Sequence, residues 1–305
     1  MNKELSKYYA PGHSACAGCA FPAIVRAVLG EVEKDSGIVV ANATGCLEVT
    51  STLYPYSAWK TPYIHNAFEN AAATLSGVER AYEILKRKKR LPAGDKKIKF
   101  VAFGGDGGTY DIGLQSLSGA LERGHNFLYV LYDNEGYMNT GNQRSSATPY
   151  GAATETTPAG NASFGKTEKR KNLMDIVNAH HIPYAAQANV AFMADLKKKA
   201  KKALSTDGPT FLSVFSPCTN NWKFPTSQYV NIAKLATETN FWPLYEIENG
   251  KYKISWATED PKPIEEFLKT QGRFKHLFKD KNKEVIKEMQ KMADEEWQRL
   301  IDLSE

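Results

Sequence analysis

No uncharged apolar run in the 305 residues approaches the roughly 18 needed to cross a bilayer, so a membrane-spanning helix is excluded. The opening Met1-Asn2-Lys3-Glu4-Leu5 is polar and lacks the apolar centre of a secretory signal, so a cytoplasmic location is expected. Cysteine is scarce: Cys16, Cys19, Cys46 and Cys218 are the full set. A chain this long buries about 75% of its unfolded surface and needs no disulfide scaffold. Disulfides are also rare in a reducing compartment. Broad positive charge is missing too. The net charge is +5, yet between Lys86 and Lys99 eight basic residues face one acid, Asp95, and that stretch alone exceeds the net charge of the chain. The remainder is near neutral, which excludes a broadly basic nucleic-acid binder. No internal repeat and no clear linker divides the chain.

With 42% hydrophobic and 24% charged residues, the composition is that of a globular protein. Helices are expected at 20–33, 67–90, 111–123, 172–180, 190–204 and 281–303. Between them lie continuous apolar runs of strand type: Ile38–Ala41, Lys99–Phe103, Phe127–Tyr132, residues 183–186 and Thr210–Phe215. Strands that are apolar throughout and alternate with helices predict an α/β fold, a parallel sheet covered by helices on both faces. Ligands of such sheets sit beyond the carboxyl ends of the strands, where Cys46, Asp106, Asn134 and Cys218 all fall. Residues 139–166 have no period of either kind and read as a functional loop. Residues 1–225 are taken as the main domain. Residues 226–305 are taken as a C-terminal arm that is polar and irregular until its final charged helix.

Gly104-Gly105-Asp106-Gly107-Gly108 follows a strand and opens a helix. Glycines let backbone amides approach a phosphate, and a helix N-terminus favours negative charge. An aspartate amid them would repel a diphosphate unless a divalent cation lay between. Mg²⁺ suits that place, shared between carboxylate and phosphate oxygens. Asn134, 28 residues on, offers a second oxygen from the neighbouring strand. The turn is not a dinucleotide fingerprint, and no Gly-Lys-Ser/Thr follows it. The pattern resembles the thiamine diphosphate (TPP) binding motif.

Cys16-Ala-Gly-Cys19 can present two thiolates to one metal from a single turn. Four thiolates suit zinc or an iron–sulfur cluster. The third and fourth cysteines are single and distant, which favours a cluster buried by the fold over a zinc ribbon. Four buried free thiols, or a catalytic dithiol at Cys16 and Cys19, are the rival readings.

Pro11–Ala20, Asn42–Val49, Gly104–Gly113, Leu131–Ala152 and Ser216-Pro217-Cys218 together resemble the β subunits of 2-oxoacid:ferredoxin oxidoreductases. The likeness is greatest to the branch that acts on pyruvate, the pyruvate synthases. It runs from about residue 8 to 280 and includes Gln271-Gly272-Arg273-Phe274. The resemblance implies that Cys16, Cys19, Cys46 and Cys218 hold one [4Fe–4S] cluster beside TPP. Asp106, the Asn134 side chain and the Gly136 carbonyl would bind Mg²⁺. Gly105, Gly107 and Gly108, with Gly136, Tyr137, Met138, Asn139 and Thr140, would wrap the diphosphate and approach the thiazolium near Cys46. Asn139 is the expected catalytic residue. Ala20-Phe21 depart from the glycine and glutamate found in many members, so residue 21 is not assigned to the cofactor.

The implied reaction is oxidative decarboxylation of pyruvate with coenzyme A to acetyl-CoA, CO₂ and reduced ferredoxin, reversibly. Alternatives are the same chemistry on 2-oxoisovalerate or oxalate, a non-redox TPP decarboxylase, or a non-catalytic metal-binding assembly subunit. Implied partners are an α subunit carrying the pyrimidine-binding domain with its activating carboxylate, γ and ferredoxin-like δ subunits or domains, and ferredoxin. The arm 226–305 is expected to pack on them. The basic stretch is read as a solvated helix end in preference to a ferredoxin docking patch.

Overall fold

The computed structural model describes residues 7–91 and 97–305. Met1–Leu5 and, in the basic stretch, Asp95 and Lys96 lie outside the described residues. Within them run the strands β1 (Gly37–Ala43), β2 (Tyr63–Asn66), β3 (Ile98–Gly105), β4 (Leu128–Asp133), β5 (Tyr184–Asn189), β6 (Thr210–Phe215), β7 (Leu244–Glu248) and β8 (Lys251–Trp256). They form one sheet in the order β2-β1-β3-β4-β6-β5-β7-β8. Strands β1 to β6 are parallel, and β7 and β8 add antiparallel at one edge.

The helices are α1 (Phe21–Leu29), α2 (Cys46–Ser51), α3 (Ala71–Arg87), α4 (Leu114–Glu122), α5 (Leu173–Asn178), α6 (Met193–Ser205), α7 (Tyr229–Glu238), α8 (Ile264–Leu268) and α9 (Lys283–Ser304). Alternate residues of each strand serve opposite faces. On β4, Leu128, Val130 and Tyr132 join the core beneath α1, α6 and α7, whereas Tyr129 and Leu131 join the core beneath α3, α4 and α5. That two-sided burial is why the strands are apolar throughout. Ile24, Val25, Val28 and Leu29 of α1 are all buried, as its 3.6-residue period predicts. Each such side chain contributes about 1.5–3 kcal/mol of burial.

Two expectations change. β2 is short and only part-buried, so Tyr63-Ile64-His65-Asn66 has too little apolar character to announce itself. The region after residue 222 is also more regular than its polarity suggests. β7 and β8 meet at Asn249-Gly250, both with positive φ (49° and 80°), the tight turn that Asn-Gly favours. They continue the sheet of the preceding residues, and α9 packs beside β8 with Val285, Met289, Ala293 and Leu300 buried. In the basic stretch, Lys86 to Arg90 are exposed at the end of α3, but Lys99 is buried in β3. Among the described residues no helix is long and apolar enough to cross a membrane.

Candidate active site

The four marked residues gather at one edge because their strands are neighbours. In spatial order, β1 runs into Thr44-Gly45-Cys46, β3 into Asp106, β4 into Asn134 and β6 into Ser216-Pro217-Cys218. From β1 the chain goes to β2 on one side, while β3 pairs on the other, so the sheet changes direction between β1 and β3. A crevice opens at such a switch point. Here it is lined by Gly45, Cys46, Phe68, Gly105 to Gly108, Tyr132, Asn134 and Gly136 to Thr140. Every expected TPP-site residue is on that wall.

The floor is built for close approach. After Asp106 the chain turns through a wide helical turn, residues Gly107–Ile112. A Cβ on Gly107 would stand 2.3 Å from the Tyr137 ring. The Tyr137 hydroxyl shares its one proton between the Gly107 carbonyl (3.1 Å) and Asp111 (3.0 Å), which ties the two loops together. Asp106 is buried, and burial first, then Asp133, pushes its carboxyl well above the usual range. Ser145, from the aperiodic loop, donates to its Oδ2 at 2.5 Å.

One end of the Asn134 amide lies 2.8 Å from Asp106 Oδ1 and 2.9 Å from the Gly136 carbonyl oxygen. With nitrogen at that end, the amide donates to both. With oxygen there, three oxygens converge, an arrangement that a cation stabilises. The donor set of carboxylate, amide and carbonyl oxygens is that of a hard cation such as Mg²⁺.

Behind Asn134 lies a buried ion network that the motif reading did not contain. Asp133 and Glu135 flank it and are fully buried. Arg170 pairs with Asp133, with Glu135 (2.8 Å) and with the Tyr110 hydroxyl (2.7 Å). Arg273 pairs with Glu135 at 2.6 Å and stacks 3.5 Å over Trp222, whose indole N–H donates to the Asn134 carbonyl. Burial lifts Asp133 to about 6, against the pull of Arg170. Glu135 takes a positive φ of 63°, so this turn is held by tertiary contacts and not by local preference.

The cysteines approach the same edge. Burial pushes the Cys46 thiol up, and Cys218, Cys19 and Cys16 raise it further. Cys19 is pushed up to about 12 by burial, and Cys218 is raised likewise. The thiols thus lie within electrostatic reach of one another. Backbone amides of Phe21 at Cys19, and of Asn220 and Asn221 at Cys218, pull the other way, favouring thiolate. Among the described residues, no three His, Cys, Asp or Glu side chains converge tightly enough to hold a single ion. The oxygen site escapes that description because two of its three donors are an amide and a carbonyl.

His13 stacks on Tyr9 (5.7 Å) in the Pro-Gly turn. His65 is exposed and contacts Thr44 at 3.0 Å. Asn66 belongs to β2, and α3 starts at Ala71. Phe21 packs its ring 4.5 Å from Tyr132. Asn139 and Thr140 are exposed at the mouth.

Residues 43–214 match the C-terminal TPP binding domain of thiamine pyrophosphate enzymes. The chain is similar to pyruvate synthase subunit PorB of Thermotoga maritima, 54% identical over 297 residues that cover 96% of this chain and 91% of that one. PorB of Methanocaldococcus jannaschii is 50% identical, with 97% of each chain covered. Ketoisovalerate oxidoreductase subunit VorB of Pyrococcus abyssi is 48% identical, with 96% and 92% covered. A solved 2-oxoglutarate:ferredoxin oxidoreductase from Magnetococcus marinus shares the fold, with TM-score 0.58 and 21% identity over 77% of this chain and 81% of that one. The chain therefore belongs to the 2-oxoacid:ferredoxin oxidoreductase family, as an enzyme subunit that bears the TPP binding domain and works with partner subunits.

Proposed function

We propose that this subunit binds TPP through Mg²⁺, carries a [4Fe–4S] cluster on Cys16, Cys19, Cys46 and Cys218, and acts on pyruvate. The reaction is oxidative decarboxylation with coenzyme A to acetyl-CoA, CO₂ and reduced ferredoxin, run in either direction. The observation that carries this reading is the convergence of the Asp106 carboxylate, one end of the Asn134 amide and the Gly136 carbonyl on a glycine-lined crevice whose rim includes Cys46.

Asp106, the Asn134 amide oxygen and the Gly136 carbonyl would hold the cation, with Ser145 steadying the far carboxylate oxygen. Gly105 to Gly108 and the run from Asn134 to Thr140 would take the diphosphate. TPP supplies the electron sink, and the protein supplies orientation and electrostatics. Asn139, exposed at the mouth, would orient the oxygen of the 2-oxo group by an amide N–H. Met138, buried beside it, would exclude water from that side.

No glutamate lines the crevice among the described residues, so the carboxylate that activates the aminopyrimidine would come from the α subunit. Exposed Leu53, Tyr54 and Tyr56 follow α2, and exposed Ile112 ends the Gly107–Ile112 turn. These apolar side chains support a partner domain closing over the mouth. The segment 226–305 would add contacts to γ and δ subunits or domains, and the complex would work in the cytoplasm. Pyruvate is favoured by the PorB relatives. The VorB relative at 48% identity keeps a branched 2-oxo acid as a second substrate.

The test is an anaerobically co-purified complex, assayed for viologen reduction with CoA and a series of 2-oxo acids. Pyruvate should give the fastest reduction. Faster turnover of 2-oxoisovalerate would move the substrate, and no reduction by any 2-oxo acid would refute the activity. Zinc in place of iron and sulfide would point to an assembly role.

A further inference from the structure

Buried donors without acceptors surround the cysteines. Tyr132 is 2% exposed, and its hydroxyl has no hydrogen-bond partner. It leaves β4 on the α1 face and reaches the crevice between Cys46 and Gly105. A Cβ on Gly45 would stand 2.9 Å from the Tyr132 oxygen, so the hydroxyl lies directly over the turn that presents Cys46. Burial raises this phenol most, and Cys46 is the largest charge acting on it. Tyr229, the first residue of α7, repeats the situation at the other side. Its hydroxyl is buried and unpartnered, and the Cys16–Cys19 turn packs on the segment that leads into α7, where a Cβ on Gly18 would stand 3.2 Å from Thr226. The third orphan is Nη1 of buried Arg273, whose charge pulls down the Cys218 thiol. Tyr110 pairs with Arg170, Tyr129 with Thr109 and Tyr184 with Glu246, whereas the Tyr8 and Tyr9 hydroxyls are buried without a partner as well.

Native folds seldom leave a buried donor unpaired, because its lost hydration is not repaid. A thiol is a weak acceptor, whereas a thiolate bound in an iron–sulfur cluster carries negative charge and accepts well. We propose that Tyr132 and Tyr229 donate O–H···S hydrogen bonds to Cys46 and Cys19 when those sulfurs ligate the cluster, and so set its reduction potential. This rests on the cluster reading given above. Such bonds favour the more negative, reduced state, and hydrogen bonding to sulfur is one of the levers on cluster potential. Both tyrosines are positioning residues: they act through the cysteine sulfurs and touch no substrate.

The experiment is a redox titration of the anaerobically purified complex followed by electron paramagnetic resonance. Wild type is compared with Tyr132→Phe, Tyr229→Phe and, as control, Tyr252→Phe, whose hydroxyl donates to Asp175 on the surface of the β7–β8 edge. Each of the first two should keep iron and sulfide. Each should show about tenfold less reduced cluster at a fixed ambient potential, a fall of about 59 mV for one electron. The control should not move. Full cluster content with an unmoved potential overturns the proposal and leaves the cluster reading intact. Absence of iron and sulfide from wild type overturns both. Tyr132→Met is the second variant at the crevice: retained iron with the same fall supports the proposal, and loss of iron from Phe and Met alike contradicts it by making Tyr132 an assembly residue.

Discussion

The two halves of the site are finished to different degrees. In the oxygen half, between β3 and β4, the buried carboxylates have partners within the protein. Ser145 and the Asn134 backbone N–H serve Asp106, two arginines serve Glu135, and Arg170 serves Asp133. In the sulfur half, Tyr132, Tyr229, Ser216 and one nitrogen of Arg273 are buried without partners. The first half is preorganised by the protein itself, which suits a site that must hold a carboxylate and a diphosphate at fixed distance. The second would be completed by the cluster proposed on the cysteines. Arg273 stands at the border, paired to Glu135 on one side and unpaired toward Cys218 on the other.

That contrast can be broken. Glu135→Ala removes a buried carboxylate shared by two arginines and leaves Arg273 without an ion-pair partner. It should cost about 3–5 kcal/mol of stability by denaturant titration of the complex. A loss under 1 kcal/mol would mean the network is not what holds the oxygen half. Ser145→Ala should leave the fold intact and weaken Mg²⁺-dependent TPP binding about 10–100-fold, the usual penalty for losing a residue that orients a ligand. Unchanged binding would place the diphosphate away from Asp106. In the iron-free complex, Tyr132→Phe should be neutral or stabilising by up to about 1 kcal/mol, since it deletes an unpaired donor. A clear loss of stability would show that the hydroxyl already has a partner.

The smallest effect concerns Lys166, buried in the loop behind Ser145, with its ammonium on the Thr148 carbonyl at 2.6 Å. Burial, aided by Arg144 and Arg170, pushes it down to about 8 from 10.5. Between those values the unfolded chain holds a proton that the folded chain has released, so stability rises with pH. Lys166→Met should flatten that slope by less than one proton, read from melts between pH 8 and 10.5. An unchanged slope would show that Lys166 stays charged when folded.

The fold class was legible because apolar strand runs and helical periods alternate cleanly from residue 20 to 215. The glycine turn, Asn134 and the cysteines were legible because local motifs mark strand ends. Arg170, Arg273 and Trp222 were not, because their partners are distant in sequence: Glu135 and Arg273 are 138 residues apart. Arg273 lay inside a noted motif, yet nothing in Gln-Gly-Arg-Phe announces a buried ion pair. The β7–β8 hairpin carried an Asn-Gly signal that overall polarity obscured. Ser145 sat in a loop without period, where spacing arguments have no purchase.

Two separate holding sites, one of oxygen and one of sulfur, are proposed on one strand edge. The most direct measurement is iron, sulfide and TPP content of the anaerobic complex for wild type, Cys218→Ser and Asp106→Asn. Cys218→Ser should lose iron and sulfide together while keeping TPP, and Asp106→Asn should lose TPP while keeping iron. Unchanged iron in Cys218→Ser, or full TPP in Asp106→Asn, would contradict that proposal.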